Sequence, residues 1–205
     1  MSSSSPGGAY RCERASSAHA DGLLSLLEST GSGCFCNYWY FQGDKNAWLE
    51  QCFLRPEENR VALVARLAAP ALCGVVALAP DGAVVGWLGL SSAAAIPKLY
   101  EQRVYKSLPC FQDVARESVL AVACFLVAEA ERGRGVARAL LESAIVEARK
   151  AGAMALEAFP RRAPEDAQKL RPDEVWLGPE ALLEKCGFRA VSDFRPYPVL
   201  RLHLR

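Results

Sequence analysis

The residues with the most chemical content are Arg132-Gly133-Arg134-Gly135-Val136-Ala137. They follow an apolar run, Ser118 to Val127, and open a helical pattern, Val136 to Lys150. A strand, a glycine-rich turn and a helix start together make a backbone anion site. The first N–H groups of a helix have no internal partners, and the helix dipole favours negative charge there. Gly133 and Gly135 let the backbone approach a bulky ligand without a Cβ in the way. The hexamer therefore predicts a phosphate or pyrophosphate ligand at the N-terminus of the Val136 helix. Glu157 is a second signal, because it stands in an otherwise apolar strand, Ala153 to Phe159. A carboxylate there is costly unless paired or functional. It reads as a proton acceptor or substrate carboxylate, or else as a structural ion pair with an arginine of the Arg161–Arg162 loop.

These residues need a frame. Tyr10 to Ala15 reads as a first strand, and Ser16 or Ser17 caps a helix to about Glu28 with Leu23, Leu24, Leu26 and Leu27 on its apolar face. Thr30 to Gly33 breaks it ahead of an aromatic cluster, Phe35 and Tyr38 to Phe41. Asp44 caps a second helix, and Pro56-Glu57-Glu58 is a good first turn for a third, to about Ala68. Pro80-Asp81-Gly82 between the apolar runs 71–79 and 83–90 signals a hairpin. Residues 91–112 read as irregular. Residues 117–127 form the central strand, 136–150 the ligand-facing helix and 153–159 the next strand. A charged loop spans 161–173, a helix 179–185, and an antiparallel pair, 188–194 and 199–204, closes the chain. There is no internal repeat.

Length and composition narrow the class. The 205 residues suit one α/β domain with a sizeable core, expected over 9–205. Residues 1–8, rich in Ser, Pro and Gly without an apolar segment, read as a disordered tail rather than a signal peptide. A net charge of +1 gives no nucleic-acid footprint. No apolar stretch has membrane-spanning character, so the expected location is cytoplasmic. Of the eight cysteines, Cys73, Cys124 and Cys186 sit in apolar patterns and read as small buried hydrophobes. Cys34-x-Cys36 lacks a second pair at zinc-ligand spacing. The expectation is no metal, with a metal or thiol-redox role for Cys34 and Cys36 kept as a rival.

The turn is not a P-loop, because no Lys-Ser/Thr pair follows the glycines, and it lacks the G-x-G-x-x-G spacing of a dinucleotide fingerprint. It does match R/Q-x-x-G-x-G/A, through Arg132, Gly135 and Ala137. On these residues the chain resembles the GNAT superfamily of acyl-CoA-dependent N-acetyltransferases. The resemblance continues through Ala139-Leu140-Leu141 and reaches Glu184-Lys185-Cys186-Gly187-Phe188, like the family's late Gly-Phe signature. Cys34 to Trp39, Cys124 to Val127 and Glu157 to Pro160 resemble one bacterial group within it.

The resemblance implies an α/β (α+β) fold, a mixed, mostly antiparallel sheet flanked by helices on both faces. The central strand and its successor would splay to admit the acyl-CoA arm. It implies acetyl-CoA as co-substrate, cradled by Arg132, Gly133, Arg134, Gly135, Val136, Ala137 and Arg138, with the backbone of Phe125, Leu126 and Val127 pairing with pantetheine amides. The acceptor would be a primary amine, of a small molecule or a peptide, attacking the thioester directly. Cys34, Asn37, Tyr38 and Trp39 would line its pocket, the aromatics serving otherwise as core or homodimer contacts. Some family members carry a glutamate on the central strand; here Val122, Ala123 and Cys124 occupy that region, and Glu157 is the catalytic candidate. The family's usual tyrosine, four residues before the late Gly-Phe, is Leu183 here. A non-catalytic acyl-CoA-binding or sensing module is therefore the alternative.

Overall fold

The computed structural model describes residues 10–163, 170–171 and 174–204. The expected tail, 1–8, and part of the expected charged loop lie outside the described residues. Among the described residues, β1 (Arg11–Arg14), β2 (Gly74–Leu78), β3 (Val84–Ser92), β4 (Val119–Val127), β5 (Ala155–Ala158), β6 (Arg189–Ser192) and β7 (Val199–His203) form one sheet. Its order is β1-β2-β3-β4-β5-β7-β6. Only the β4–β5 pair is parallel. The Asp81-Gly82 turn closes the β2–β3 hairpin as its sequence predicts.

Period-two alternation sorts β2 and β3 between two layers. Val75, Ala77 and Leu88 face one core, and Val76, Leu78 and Trp87 face another. The first core receives α5 (Val136–Lys150), which buries Val136, Leu140, Leu141, Ala144 and Ala148 along one stripe. Burying each large apolar side chain contributes roughly 1.5–3 kcal/mol. Gly86 permits this approach, since a Cβ there would lie 2.9 Å from Leu140 Cδ1 and from Val136 Cγ1. The second core receives α1 (Ala20–Glu28), through Leu23, Leu24, Leu26 and Leu27, and α3 (Pro56–Ala68), through Leu63 and Leu67. Before α3, α2 (Lys45–Leu54) starts at Asp44, whose side chain accepts from Ala47 N–H at 2.9 Å. Helices therefore cover both faces of a mixed, mostly antiparallel sheet.

The segment read as irregular, 91–112, is more ordered than expected. β3 runs on to Ser92, and α4 (Pro97–Tyr100) follows, with Pro97 in its first turn and Leu99 and Tyr100 buried. The helix was hidden from periodicity because one turn is too short to show any. It packs on a third core with Trp39, Val119, Ala121, Ala155 and Phe159. Late in the chain, α6 (Glu180–Lys185) buries Leu183 against the α5 core.

Candidate active site

The glycine-rich turn leads directly into α5. Gly133 and Gly135 sit at φ 75° and 88°, in the left-handed region, with open space where a Cβ would project. Gly135 caps α5, whose ladder begins with Ala139 N–H donating to Gly135 C=O at 3.1 Å. The N–H groups of Val136, Ala137 and Arg138 precede that bond and open outward. The arginines are engaged locally. Arg132 Nε donates to Val127 C=O at 3.3 Å, Arg134 pairs with Glu131 at 3.4 Å, and Arg138 pairs with Glu142 at 2.8 Å. The backbone is thus the constant part of the site, and the arginines are exposed cations around it.

β4 leads to this turn. It pairs with β5 only through Val119, Leu120 and Ala121, and beyond them the two strands part. Ala128 N–H donates to Val85 C=O, so alternation turns Leu126 toward β3, and Phe125 and Val127 toward the gap. This corrects the expectation for Leu126: its backbone belongs to the ladder with Trp87, and only its side chain reaches the cleft. Phe125 N–H is already bonded to Trp176 C=O at 2.7 Å. Phe125 C=O and Val127 N–H remain as the acceptor and donor facing the gap. A register shift between Gly89 and Leu90 leaves Ala123 as an extra residue on β4, and its carbonyl accepts from Trp39 Nε1 at 3.1 Å.

A cleft of about 530 Å³ opens along this edge. It brings together the expected residues Cys34, Phe125, Leu126, Val127 and Arg132, and adds Cys36, Cys124, Glu129 and Trp176. A second cavity, of about 300 Å³, is lined by Tyr38, Trp39, Tyr105, Phe159, Arg161, Glu174, Trp176 and Tyr197, among others. Trp176 borders both, its ring stacked on Trp39 at 5.5 Å. Arg161 pairs with Glu174 at 2.8 Å. The Glu174 carboxyl is held below its usual range, chiefly by the Arg171 N–H and then by Arg161 and Arg171 charge. One face of Tyr38 is covered, with Lys98 Nζ 4.3 Å from its ring centre.

Two expected site residues go elsewhere. Asn37 is buried in a polar network: its Nδ2 donates to Asn59 Oδ1 at 2.9 Å, and its Oδ1 accepts from Arg66 at 2.7 Å. It positions the 33–37 loop rather than lining a cavity. Glu157 is 1% exposed and borders neither cavity. Its Oε1 accepts from Arg201 Nε and Nη2 at 2.9 and 2.6 Å, and its Oε2 accepts from the Tyr100 hydroxyl at 2.8 Å. Both oxygens are committed, so the structure places Glu157 in an ion pair and not at the cleft. The partner differs from the sequence-predicted one. Arg161 pairs with Glu174, and Arg162 with Glu180 and Asp193.

Sequence reading missed Trp176, Asn59 and Arg66. Trp176 follows a charged loop with no periodicity to flag it. Asn59 and Arg66 sit among ordinary polar positions of α3. Among the described residues, no group of three or more His, Cys, Asp or Glu is placed to hold a metal ion. No helix of the described residues is long and apolar enough to cross a membrane.

The mixed sheet parts between β4 and β5, with a glycine-rich turn after β4 and a cleft along that strand's edge. The acetyltransferase (GNAT) family matches residues 35–170, well over half of the chain. The chain belongs to this family, and its chemistry is acyl transfer. No curated protein matches it in sequence. Among solved structures, it is similar to a GCN5-related N-acetyltransferase from Kribbella flavida, with a TM-score of 0.54 and 20% identity over 95% of this chain and 98% of that one. A Pyrococcus horikoshii protein gives a TM-score of 0.52 at 14% identity, covering 95% and 98%. The yncA protein of Salmonella typhimurium, solved with its cofactor acetyl-CoA, gives 0.51 at 17% identity, covering 96% and 94%. These likenesses are likenesses of fold.

Proposed function

We propose that the chain moves an acetyl group from acetyl-CoA to a primary amine. The observation that carries this is the continuity of the site. Arg132 of the glycine-rich turn lines the same 530 Å³ cleft as Phe125 and Val127 of β4, which the turn follows. A pyrophosphate at the α5 N-terminus fits the positive end of its dipole. A pantetheine arm then runs beside β4 as an added strand does, using one acceptor and one donor of that edge. The Arg132, Arg134 and Arg138 side chains supply charge around the phosphates.

The second cavity suits the acceptor. Its walls are aromatic, and Glu174 offers a carboxylate to an ammonium group. The low carboxyl range of Glu174 makes it a charge partner and a weak base. Trp176 borders both this cavity and the cleft, so the two share one wall. The non-catalytic alternative draws on two observations: Leu183 stands in the family's acid position, and Glu157 is locked in an ion pair. Titration of the purified chain with acetyl-CoA, followed by chromatographic detection of free CoA across a panel of amines, decides the matter. Binding with turnover on any amine supports the transferase reading. Binding without turnover favours the binding module, and no binding to CoA or acetyl-CoA refutes both.

A further inference from the structure

The second cavity carries polar groups beyond its aromatic walls. Its volume of about 300 Å³ stands at the small end of ligand sites, which run roughly 300–1,000 Å³. Leu99, Phe159 and Trp176 are among its apolar walls. Tyr105 lines it too and is 3% exposed, and its hydroxyl has no hydrogen-bond partner among the described residues. Burial, with Tyr197 adding to it, pushes that hydroxyl above the usual phenol range, so it stays a donor. The charged lining residues are Arg161 and Glu174. Glu174 Oε1 accepts from Arg161 Nη1 at 2.8 Å, and its Oε2 accepts from Arg171 N–H at 3.0 Å. The other edge of the Arg161 guanidinium, Nε with Nη2, has no partner among the described residues. Nε is buried without a hydrogen bond, although the side chain as a whole is 40% exposed.

We propose that the acceptor is a free amino acid with an apolar or aromatic side chain, its carboxylate held by Arg161 and its amine facing Glu174. This rests on the acetyl-transfer reading above and names the amine that reading leaves open. A buried donor without an acceptor is costly. A carboxylate on the Nε–Nη2 edge satisfies that donor with two parallel charge-assisted bonds, the geometry for which a guanidinium fork is suited. The guanidinium turns on its ion pair with Glu174 to present that edge. An amino acid carries its ammonium next to its carboxylate, as Glu174 stands next to Arg161, so opposite charges meet in pairs. The Tyr105 hydroxyl is a further donor for a ligand oxygen. Transfer itself is direct. The free-base nitrogen bonds to the acetyl carbon, the carbon–sulfur bond breaks, and the surplus proton on nitrogen passes to the departing CoA thiolate.

Other amines match this lining less well. A polyamine brings several ammonium groups, and the lining offers one carboxylate, already shared with Arg161. A bare arylalkylamine fills the aromatic part and leaves the guanidinium edge without an acceptor. A peptide N-terminus has an amide where a free amino acid has its carboxylate, which exchanges a charged pair for a weaker neutral bond. The aromatic walls then choose among amino acids, because a flat or apolar side chain buries surface against Phe159 and Trp176 while a charged one finds no partner there.

The test uses probes that differ only in the carboxylate. L-Phenylalanine, L-tryptophan and L-leucine are each compared with the amine that lacks it: 2-phenylethylamine, tryptamine and isoamylamine. Acetyl-CoA is the donor, and both free CoA and the acetylated product are measured. The native chain should favour the amino acid of at least one pair by about 100-fold or more in kcat/KM, because its analogue leaves a polar group of the site unmatched. In Arg161→Met that ratio should fall to about one. Arg161→Lys should recover part of it, as a point charge without the fork. Equal turnover of amino acid and amine by the native chain overturns the inference, as does a ratio that survives in Arg161→Met. The native comparison decides by itself if the variant no longer binds acetyl-CoA. Turnover of other amines with none of the three amino acids overturns the inference and leaves the acetyl-transfer reading standing. A native chain that does not bind acetyl-CoA, or binds it and acetylates no amine, fails that reading and the inference with it.

Discussion

Replacing Glu157 by glutamine should cost stability and not chemistry. The side chain is 1% exposed and faces Arg201, 3% exposed, directly across the β5–β7 ladder. Glutamine keeps the shape and an acceptor oxygen but removes the charge. Arg201 would then face a neutral amide oxygen and the Cys110 carbonyl, with Asp113, 3.8 Å away and largely exposed, as its remaining carboxylate. Leaving one member of a buried pair uncompensated costs about 3–5 kcal/mol. For a chain of this size that is a fall in melting temperature of roughly 6–20 °C, at about 2–4 °C per kcal/mol. Thermal denaturation followed by circular dichroism reads this directly. Replacing both partners by methionine should recover much of the loss, because the uncompensated charge goes with them. Acetyl-CoA titration well below the transition should give native affinity. A Glu157→Gln protein that melts like the native chain yet has lost turnover would refute the reasoning and return Glu157 to the chemistry.

Three further outcomes test the site. Gly135→Glu puts a side chain and a like charge at the α5 N-terminus and should weaken acetyl-CoA binding by about 100-fold or more, measured by titration, with a strain cost of roughly 1–2 kcal/mol at φ 88°. Trp176→Ala removes the wall shared by the two cavities and should raise the amine KM about tenfold while the acetyl-CoA Kd holds, which steady-state kinetics and titration separate. Burial, with Cys36 adding to it, pushes the Cys34 thiol up to about 11. Below that pH Cys34 holds its proton, so its alkylation by iodoacetamide should rise about tenfold per pH unit from pH 8 to about pH 11.

The parts of the fold that were legible in the sequence are those with local causes. The bounds of α5 follow from its apolar stripe, the left-handed Gly135 before it and the Gly152 turn after it. Asp44 and Pro56 mark helix starts because a cap and a first-turn proline act within three or four residues. The glycine-rich turn before α5 was legible for the same reason, being made of six consecutive residues.

The rest of the site is made by register, which composition does not reveal. Glu157 was expected to pair with Arg161 or Arg162, near it in sequence. The β5–β7 ladder sets Arg201 opposite it instead, and the two earlier arginines go to Glu174, Glu180 and Asp193. Cys124 reads as an inert core thiol on its strand alone. Its neighbour Cys36 is 88 residues away in sequence and comes to it only because Asn37, Asn59 and Arg66 hold the intervening loop. β4 shows how far one register choice reaches. Pairing Leu126 with Trp87 faces Phe125 and Val127 into the gap left where β5 turns away. A slip of one residue would turn Leu126 into the gap and return Phe125 and Val127 to the ladder. The lining of the cleft, the Trp176 contact and the free edge of β4 therefore all depend on how β3 meets β4.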